Sequence, residues 1–170
     1  MNTAKRFGLV LTLALVLATG FGCAKKQVAA TPESAGAPMA AEDDSARRAQ
    51  LEALARAQQI ITDAKVYFDF DKFDLKAESK EVLKQKADVL KKFPSIRVLV
   101  EGHCDERGTQ EYNLALGERR ARAAYEYLVM SGVNAGQLEM ISYGEERPAV
   151  EGHTEAAWSK NRRGEFKIIK

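Results

Sequence analysis

The seven residues GHCDERG, at positions 102 to 108, place a histidine, a cysteine and an aspartate side by side at the end of an apolar run. Three kinds of chemistry use these residue types: a metal site, a thiol nucleophile with a histidine base, and a polar site for an external ligand. Which of the three applies depends on the elements that position these side chains.

The first two kinds of chemistry are poorly supported. Cys104 would need a base, but side chains of adjacent strand residues point to opposite faces, so His103 does not easily pair with it. His153, the other histidine, lies in a polar loop, and no spacing links it to the thiol. His103 and Asp105 could share a face, yet closed zinc sites use three or four ligands, usually in closely spaced pairs that the chain lacks. We therefore expect no catalysis, no metal and no cofactor, and interpret Cys104 as a packing residue.

The third interpretation is a polar ligand site. Asp105 precedes a predicted helix, Arg120 lies well inside that helix, and Gly108 permits a sharp turn that returns the loop over it. A carboxylate and a guanidinium in one cleft suit a ligand with both ammonium and carboxylate groups. Composition alone leaves open the alternative that Arg119, Arg120 and Arg122 form an ordinary solvated helix face.

Periodic apolar patterns predict the elements that carry these residues. The predicted strands are 66–70, 96–102, 137–144 and 165–170, and the predicted helices are 77–92, 111–130 and a short turn at 156–161. Their order predicts an α+β fold, in which helices pack on one face of a single four-stranded sheet.

Two apolar stripes are expected to face the core. In the first strand the stripe alternates with Tyr67 and Asp69, and in the long helix small residues indicate close packing on the sheet. The expected inward residues are Val66, Phe68 and Phe70 in the strand, and Leu114, Gly117, Ala121, Ala124 and Leu128 in the helix.

Residues 1–22 have the features of a secretory signal. Lys5 and Arg6 precede an apolar stretch, 8–18, that is too short to span a bilayer comfortably. Small residues then lead to Cys23, which we expect to be the acylated first residue of a lipoprotein. An ordinary signal peptide with an incidental cysteine is the alternative, since Gly20 stands where lipoprotein signals usually have leucine.

The mature chain is electrically balanced. Removal of residues 1–22 takes away two basic residues and no acidic ones, which leaves 24 of each. This balance excludes the strongly basic face of a nucleic-acid-binding protein.

Residues 23–64 are predicted to be a flexible tether, because they are rich in alanine and polar residues and contain no large apolar cluster. Within the tether, 45–61 contains good helix formers, with Leu51, Leu54 and Ile61 near one face. An isolated helix of this length is only marginally stable in water.

Four blocks closely resemble the peptidoglycan-associated lipoproteins of the OmpA-like family: VYFDFDKFDL, VEGHCDERGTQEYNLALGERRA, SYGEERPA and AAWSKNRRGEF. The resemblance covers residues 65–170, and the signal and tether match as well. It implies a βαβαβ(α)β two-layer sandwich with a mixed sheet. It also implies a non-catalytic domain that binds the stem peptide of peptidoglycan, chiefly its meso-diaminopimelate residue.

The resemblance also assigns site residues. In the family, the aspartate of DERG takes the ammonium group and the arginine fifteen positions later takes a carboxylate, which here are Asp105 and Arg120. The resemblance implies three further pocket residues, Asp71, Arg107 and Leu116. It implies that Gly102 and Asn113 are framework residues of the same site, and that Arg162 and Arg163 lie near it.

Partners and location follow from the same resemblance. It implies a lipid anchor in the outer membrane through Cys23, with the domain facing the periplasm. The residue after Cys23 is Ala24 and not the aspartate that commonly retains lipoproteins in the inner membrane, which favours the outer membrane. TolB and other Tol proteins are the implied protein partners, and a wall-binding lipoprotein without Tol partners is the nearest alternative. A flagellar stator subunit, which shares the fold, would need a permanent transmembrane helix that the short apolar stretch does not provide.

Overall fold

The structure, a computed structural model, describes residues 38–169, with side chains from residue 43 onward. The predicted signal peptide (1–22), the predicted acylation site Cys23 and the first part of the predicted tether lie outside the described residues. The elements, in chain order, are α1 (Pro38–Asp63), β1 (Val66–Tyr67), α2 (Ala77–Lys92), β2 (Arg97–His103), α3 (Gln110–Met130), a 3-10 turn (Ala135–Gln137), β3 (Leu138–Gly144), α4 (Glu155–Asn161) and β4 (Arg163–Ile169).

The four strands form one mixed sheet in the order β1-β4-β2-β3. Strands β2 and β3 are parallel and are joined through α3, whereas β4 runs antiparallel to both β1 and β2. The predicted α+β sandwich with a mixed sheet is therefore confirmed. None of the described helices is long and apolar enough to cross a membrane.

Helix α3 packs very closely on β2. A Cβ atom added to Gly102 would lie 1.9 Å from the carbonyl oxygen of Gly117, so neither strand nor helix could approach this closely with a larger residue. Further along α3, Ala121, Ala124 and Leu128 are fully buried, as the predicted stripe requires. This contact fixes the start of α3 beside the end of β2.

One residue of the predicted stripe is not inward. Leu114 is 47% exposed, and Asn113 and Leu116 are the buried residues at this end of α3. Leu114 lies about 100° further around the helix than Asn113, which removes it from the face that meets the sheet.

Strand β1 is shorter than predicted. Only Val66 and Tyr67 pair with β4, and the chain then turns, with a hydrogen bond from the Lys72 nitrogen to the Asp69 oxygen. The prediction that Phe70 points inward is wrong, because its side chain is 54% exposed. The backbone oxygens of residues 68, 69 and 72 accept hydrogen bonds from arginine side chains instead of from a strand.

The described second part of the predicted tether, residues 38–63, is a helix that belongs to the same compact unit as the domain. Ala57 and Ile61 are buried in the core and Leu54 packs against it, whereas Leu51 is 58% exposed. The expectation of a flexible segment here is therefore corrected for the part that the structure describes. Burial of this apolar face supplies the stabilisation that an isolated helix lacks.

A buried lysine holds the end of α1. The Lys86 ammonium donates to the carbonyl oxygens of Ile60 and Ile61 and lies 4.5 Å from the centre of the Phe166 ring. These carbonyls belong to the last turn of α1, which has no intrahelical donors for them. Burial lowers the pKa of Lys86 to about 8.

We expect the Lys86→Met variant to lose a characteristic pH dependence of stability. In the folded wild type Lys86 releases its proton near pH 8, whereas the unfolded chain keeps it up to about pH 10.5. The free energy of unfolding of the wild type, relative to the variant, should therefore rise by up to about 3 kcal/mol across this window. Urea unfolding from pH 7 to 10.5 measures the difference, and a difference that is independent of pH would contradict the assignment.

Candidate functional site

A cavity of about 220 Å³ opens where the end of β2, the start of α3 and the turn after β1 meet. It brings together most of the residues that sequence analysis assigned to a ligand site. Its lining residues are Phe70, Asp71, Cys104, Asp105, Arg107, Gly108, Tyr112, Asn113, Leu116 and Arg120.

Local chemistry explains how the loop between β2 and α3 forms one wall of this cavity. Cys104 continues from β2 by donating its backbone N–H to the Gly144 oxygen, and Gly108 has a φ of 121° that favours glycine. Thr109 then caps α3, because its side-chain oxygen accepts from the Tyr112 nitrogen. The loop thus places Asp105 and Arg107 opposite the first turns of the helix.

Asp105 is only 4% exposed and is surrounded by donors. One carboxylate oxygen accepts from the backbone nitrogen and Nε of Arg107, and the other accepts from Arg107 Nη2 at 2.7 Å and Arg162 Nη1 at 3.1 Å. Burial raises the pKa of Asp105, but the hydrogen bonds from Arg107 and Arg162 outweigh it and hold the pKa below its usual value. The group is therefore a carboxylate with about four acceptor positions in use.

The Arg107 guanidinium lies between two aromatic rings. Its central carbon is 3.9 Å from the centre of the Phe70 ring and 4.1 Å from that of Trp158. Such stacking fixes the plane of the guanidinium, and its Nη1 makes no hydrogen bond to the described residues. Trp158 was not among the predicted site residues. Its being the one tryptophan of the chain was the only sign in the sequence that it has a special role.

Arg120 is 1% exposed, so the alternative of a solvated helix face is wrong for this residue. Its Nε donates to the Lys72 oxygen at 2.9 Å and Nη2 to the Asp69 oxygen at 3.1 Å. Its Nη1 donates to the His103 oxygen at 2.8 Å and contacts the Cys104 sulfur at 3.3 Å. Four of the five N–H groups of the guanidinium are therefore used within the protein.

Asp71 and Asn113 both line the cavity but differ in exposure. Asp71 is exposed and accepts a hydrogen bond from the Tyr112 hydroxyl. Asn113 is buried and donates to the Arg107 oxygen and to Glu145, which ties the loop to the helix. This geometry agrees with a framework role for Asn113.

The two neighbouring arginines of the NRR segment are separated. Arg162 reaches the site, where it donates to Asp105, to Glu155 and to the Phe68 oxygen. Arg163 does not line the cavity. It is the first residue of β4 and donates to Glu165 and to the Arg147 oxygen, whereas Arg162 lies just before the strand at the end of α4. The placement of Arg163 in the site is therefore corrected in favour of Arg162.

The thiol lacks the environment of a nucleophile. Burial raises the pKa of Cys104 to about 11, and its sulfur donates to the Asn113 oxygen. The His103 ring stacks on Tyr143, with ring centres 5.6 Å apart, on the sheet face away from α3. His153 is exposed and pairs with Glu106. Neither imidazole is hydrogen-bonded to the thiol.

One group among the described residues has metal-ligating atoms close together: Glu101, His103 and Glu165, whose atoms lie within 4.8 Å of one another. The carboxylate of Glu165 is already paired with the cations of Lys65, Arg163 and Lys167. These contacts use the oxygens that a metal ion would need.

Comparison with known proteins agrees with this architecture. The model of the OmpA family matches residues 67–162. A peptidoglycan-associated lipoprotein of Pseudomonas aeruginosa is 45% identical over 172 residues, which span 95% of this chain and 97% of that protein. One of Haemophilus influenzae is 58% identical over 98 residues, which span 58% of this chain and 64% of that protein.

A solved structure gives the same result. The crystal structure of the peptidoglycan-associated lipoprotein from Burkholderia pseudomallei has a TM-score of 0.61 and 44% identity, and the match covers 62% of this chain and 89% of that one. The family model covers more than half of the chain, and the Pseudomonas aeruginosa relative is 45% identical over 95% of it. The chain therefore belongs to the OmpA family and, within it, to the peptidoglycan-associated lipoproteins.

Proposed function

We propose that this envelope lipoprotein binds the stem peptide of peptidoglycan non-covalently, through its meso-diaminopimelate residue. The observation that carries the proposal is the cavity itself, where two carboxylates, Asp71 and Asp105, lie with two guanidinium groups, Arg107 and Arg120. The side-chain end of meso-diaminopimelate carries an ammonium and a carboxylate on one carbon. A balanced set of opposite charges in one cavity complements such a group.

The ligand must rearrange part of the site, because Asp105 has no open acceptor position in the free protein. The Arg107 side chain is 30% exposed, whereas that of Arg162 is 7% exposed, so Arg107 is the partner of Asp105 that a ligand can reach. We propose that the ammonium group of the ligand replaces Arg107 on Asp105. Arg107 and the remaining N–H of Arg120 then receive the carboxylate.

The site is proposed to bind its ligand without chemical change. Its titratable groups are engaged in hydrogen bonds with one another, and the thiol is protonated at neutral pH because its pKa is near 11. Leu116, which is buried at the cavity wall, contacts the aliphatic part of the ligand in this proposal. No cofactor is needed for binding of this kind.

The cellular role proposed here is a link between the outer membrane and the cell wall, as part of the Tol-Pal system that maintains the envelope and constricts the outer membrane at division. Acylated Cys23 supplies the anchor, since a diacylglyceryl group with an amide-linked chain exceeds the two signals that stable anchoring requires. TolB is the proposed protein partner, on the strength of the family resemblance. Binding to purified TolB distinguishes this role from that of a wall-binding lipoprotein without Tol partners.

The experiment that tests the function uses the full-length protein purified in detergent, after mass spectrometry of its N-terminus has shown a lipid-modified Cys23. We expect calorimetric titration to show that diaminopimelate-type stem peptides bind about ten- to a hundredfold more tightly than lysine-type ones. Lysine lacks the second carboxylate, and a hydrogen bond between charged groups contributes roughly 1.5–3 kcal/mol.

Equal affinities for the two peptides would show that the cavity does not recognise the carboxylate. An unmodified N-terminus at another residue would remove the proposed anchor while leaving the binding result valid.

A further inference from the structure

Asp71 has an unusual backbone conformation at the mouth of the cavity. It is the one described residue other than glycine with a positive φ, 55°. Left-handed backbone is unfavourable for residues with a side chain, although aspartate and asparagine tolerate it best. Such conformations persist where the surrounding contacts hold them, and they concentrate at functional sites.

Two contacts from α3 hold this turn in place. Arg120 donates to the backbone oxygens of Asp69 and Lys72, which are the first and last residues of the turn that contains Asp71. From the first turn of α3, the Tyr112 hydroxyl donates to Oδ1 of Asp71. Arg120 therefore fixes the backbone of the turn, and Tyr112 fixes its carboxylate.

The two carboxylates of the cavity differ in what they can still accept. Asp105 has its acceptor positions filled by two arginines, whereas Oδ2 of Asp71 makes no hydrogen bond to the described residues. Asp71 is also exposed while lining the cavity, so a ligand can reach it from solvent. It can accept an ammonium group without displacing a protein side chain.

We infer that Tyr112 is a positioning residue: it holds the Asp71 carboxylate so that Oδ2 faces the cavity as a second acceptor for the ammonium group of the ligand. This inference rests on the proposed function. The hydroxyl of Tyr112 acts through Asp71 and makes no contact with the ligand in this arrangement. The pair thereby selects for ligands that carry an amine.

The inference predicts a selective effect of the Tyr112→Phe substitution, which keeps the ring and removes only the hydroxyl. Loss of this hydrogen bond leaves the Asp71 carboxylate free to rotate. We expect affinity for a diaminopimelate stem peptide to fall roughly three- to tenfold, the range of one hydrogen bond. Affinity for a stem peptide whose side-chain amine is replaced by hydrogen should not change.

Calorimetric titration of both peptides into the full-length wild type, Tyr112→Phe, Asp71→Asn and the double variant tests this. The double variant should bind the diaminopimelate peptide no more weakly than Asp71→Asn alone, because Tyr112 acts through Asp71. Tyr127→Phe, on the same helix and packed against the core, is the matched control and should bind like the wild type.

The outcomes separate the inference from the function. A Tyr112→Phe variant that binds like the wild type, or that loses affinity equally for both peptides, overturns the inference and leaves the proposed function standing. Additive losses in the double variant overturn it as well. A wild type that binds neither peptide overturns the proposed function and, with it, the role of Tyr112.

Discussion

Replacing Arg120 with alanine is expected to destabilise the fold by about 3–5 kcal/mol and to abolish most of the selectivity for diaminopimelate. The guanidinium is buried and donates to the backbone oxygens of Asp69, Lys72 and His103. Its removal takes this donor from the Lys72 and His103 oxygens, whereas the Asp69 oxygen keeps its hydrogen bond from the Lys72 nitrogen. Each buried acceptor that is left unsatisfied costs roughly 1–3 kcal/mol. The cost is expected to be less than fully additive, because the turn can relax toward water.

Lysine is not expected to rescue Arg120, because a single ammonium group cannot reach acceptors on the turn and on β2 at once. Urea unfolding measures the stability, and titration at low temperature, where the variant is still folded, measures the selectivity. Arg119→Ala is the matched control: this arginine is exposed on the same helix, and its loss should change stability by less than about 0.5 kcal/mol. A loss of under 1 kcal/mol for Arg120→Ala would mean that the network does not hold the turn.

Replacing Asp105 with alanine is expected to weaken binding to insoluble peptidoglycan about a hundredfold or more. The substitution removes the proposed acceptor for the ammonium group, and it also leaves Arg107 and Arg162 without the carboxylate that pairs them. The loss of charged hydrogen bonds worth roughly 1.5–3 kcal/mol each sets this magnitude. Diaminopimelate-type and lysine-type peptides should both bind more weakly, because both carry the amine.

Sedimentation with purified peptidoglycan measures this effect, and a thermal melt of the same sample shows whether the variant is folded. Asp88→Ala removes an exposed carboxylate on α2 that pairs with Lys91, and it serves as the control with unchanged binding. The Asp105→Asn variant keeps the shape of the side chain and separates loss of charge from loss of packing. Binding of Asp105→Ala within threefold of the wild type would contradict the assigned role.

Local patterns determined the elements of this protein. Helix α2 has the predicted bounds. Elements α3, β3 and α4 begin one residue away from their predicted starts, and β2 is displaced by one residue at both ends. Each of these elements has an apolar face that repeats with its own period, and such a face is visible in a short window of sequence. The turn at Gly108 was also recognisable from the sequence, because glycine suits a sharp turn.

The composition of the site was also accessible from the sequence. Asp105 and Arg120 were paired by their residue types and positions, and the resemblance to a known family added Asp71, Arg107 and Leu116 to them. The structure places these five residues around one cavity. Their side-chain partners were not accessible, because a motif states which residues occur and not what each one is bonded to.

Tertiary structure alone decided the rest. Arg120 is buried because the turn after β1, about fifty residues earlier in the chain, supplies the acceptors for its guanidinium. Phe70 is exposed because the same turn ends the strand early, and α1 packs on the domain because Lys86 and the core cover its last turn. Each outcome depends on a contact between segments that are distant in sequence. Periodicity shows which residues share a face, but only the folded chain determines which group that face meets.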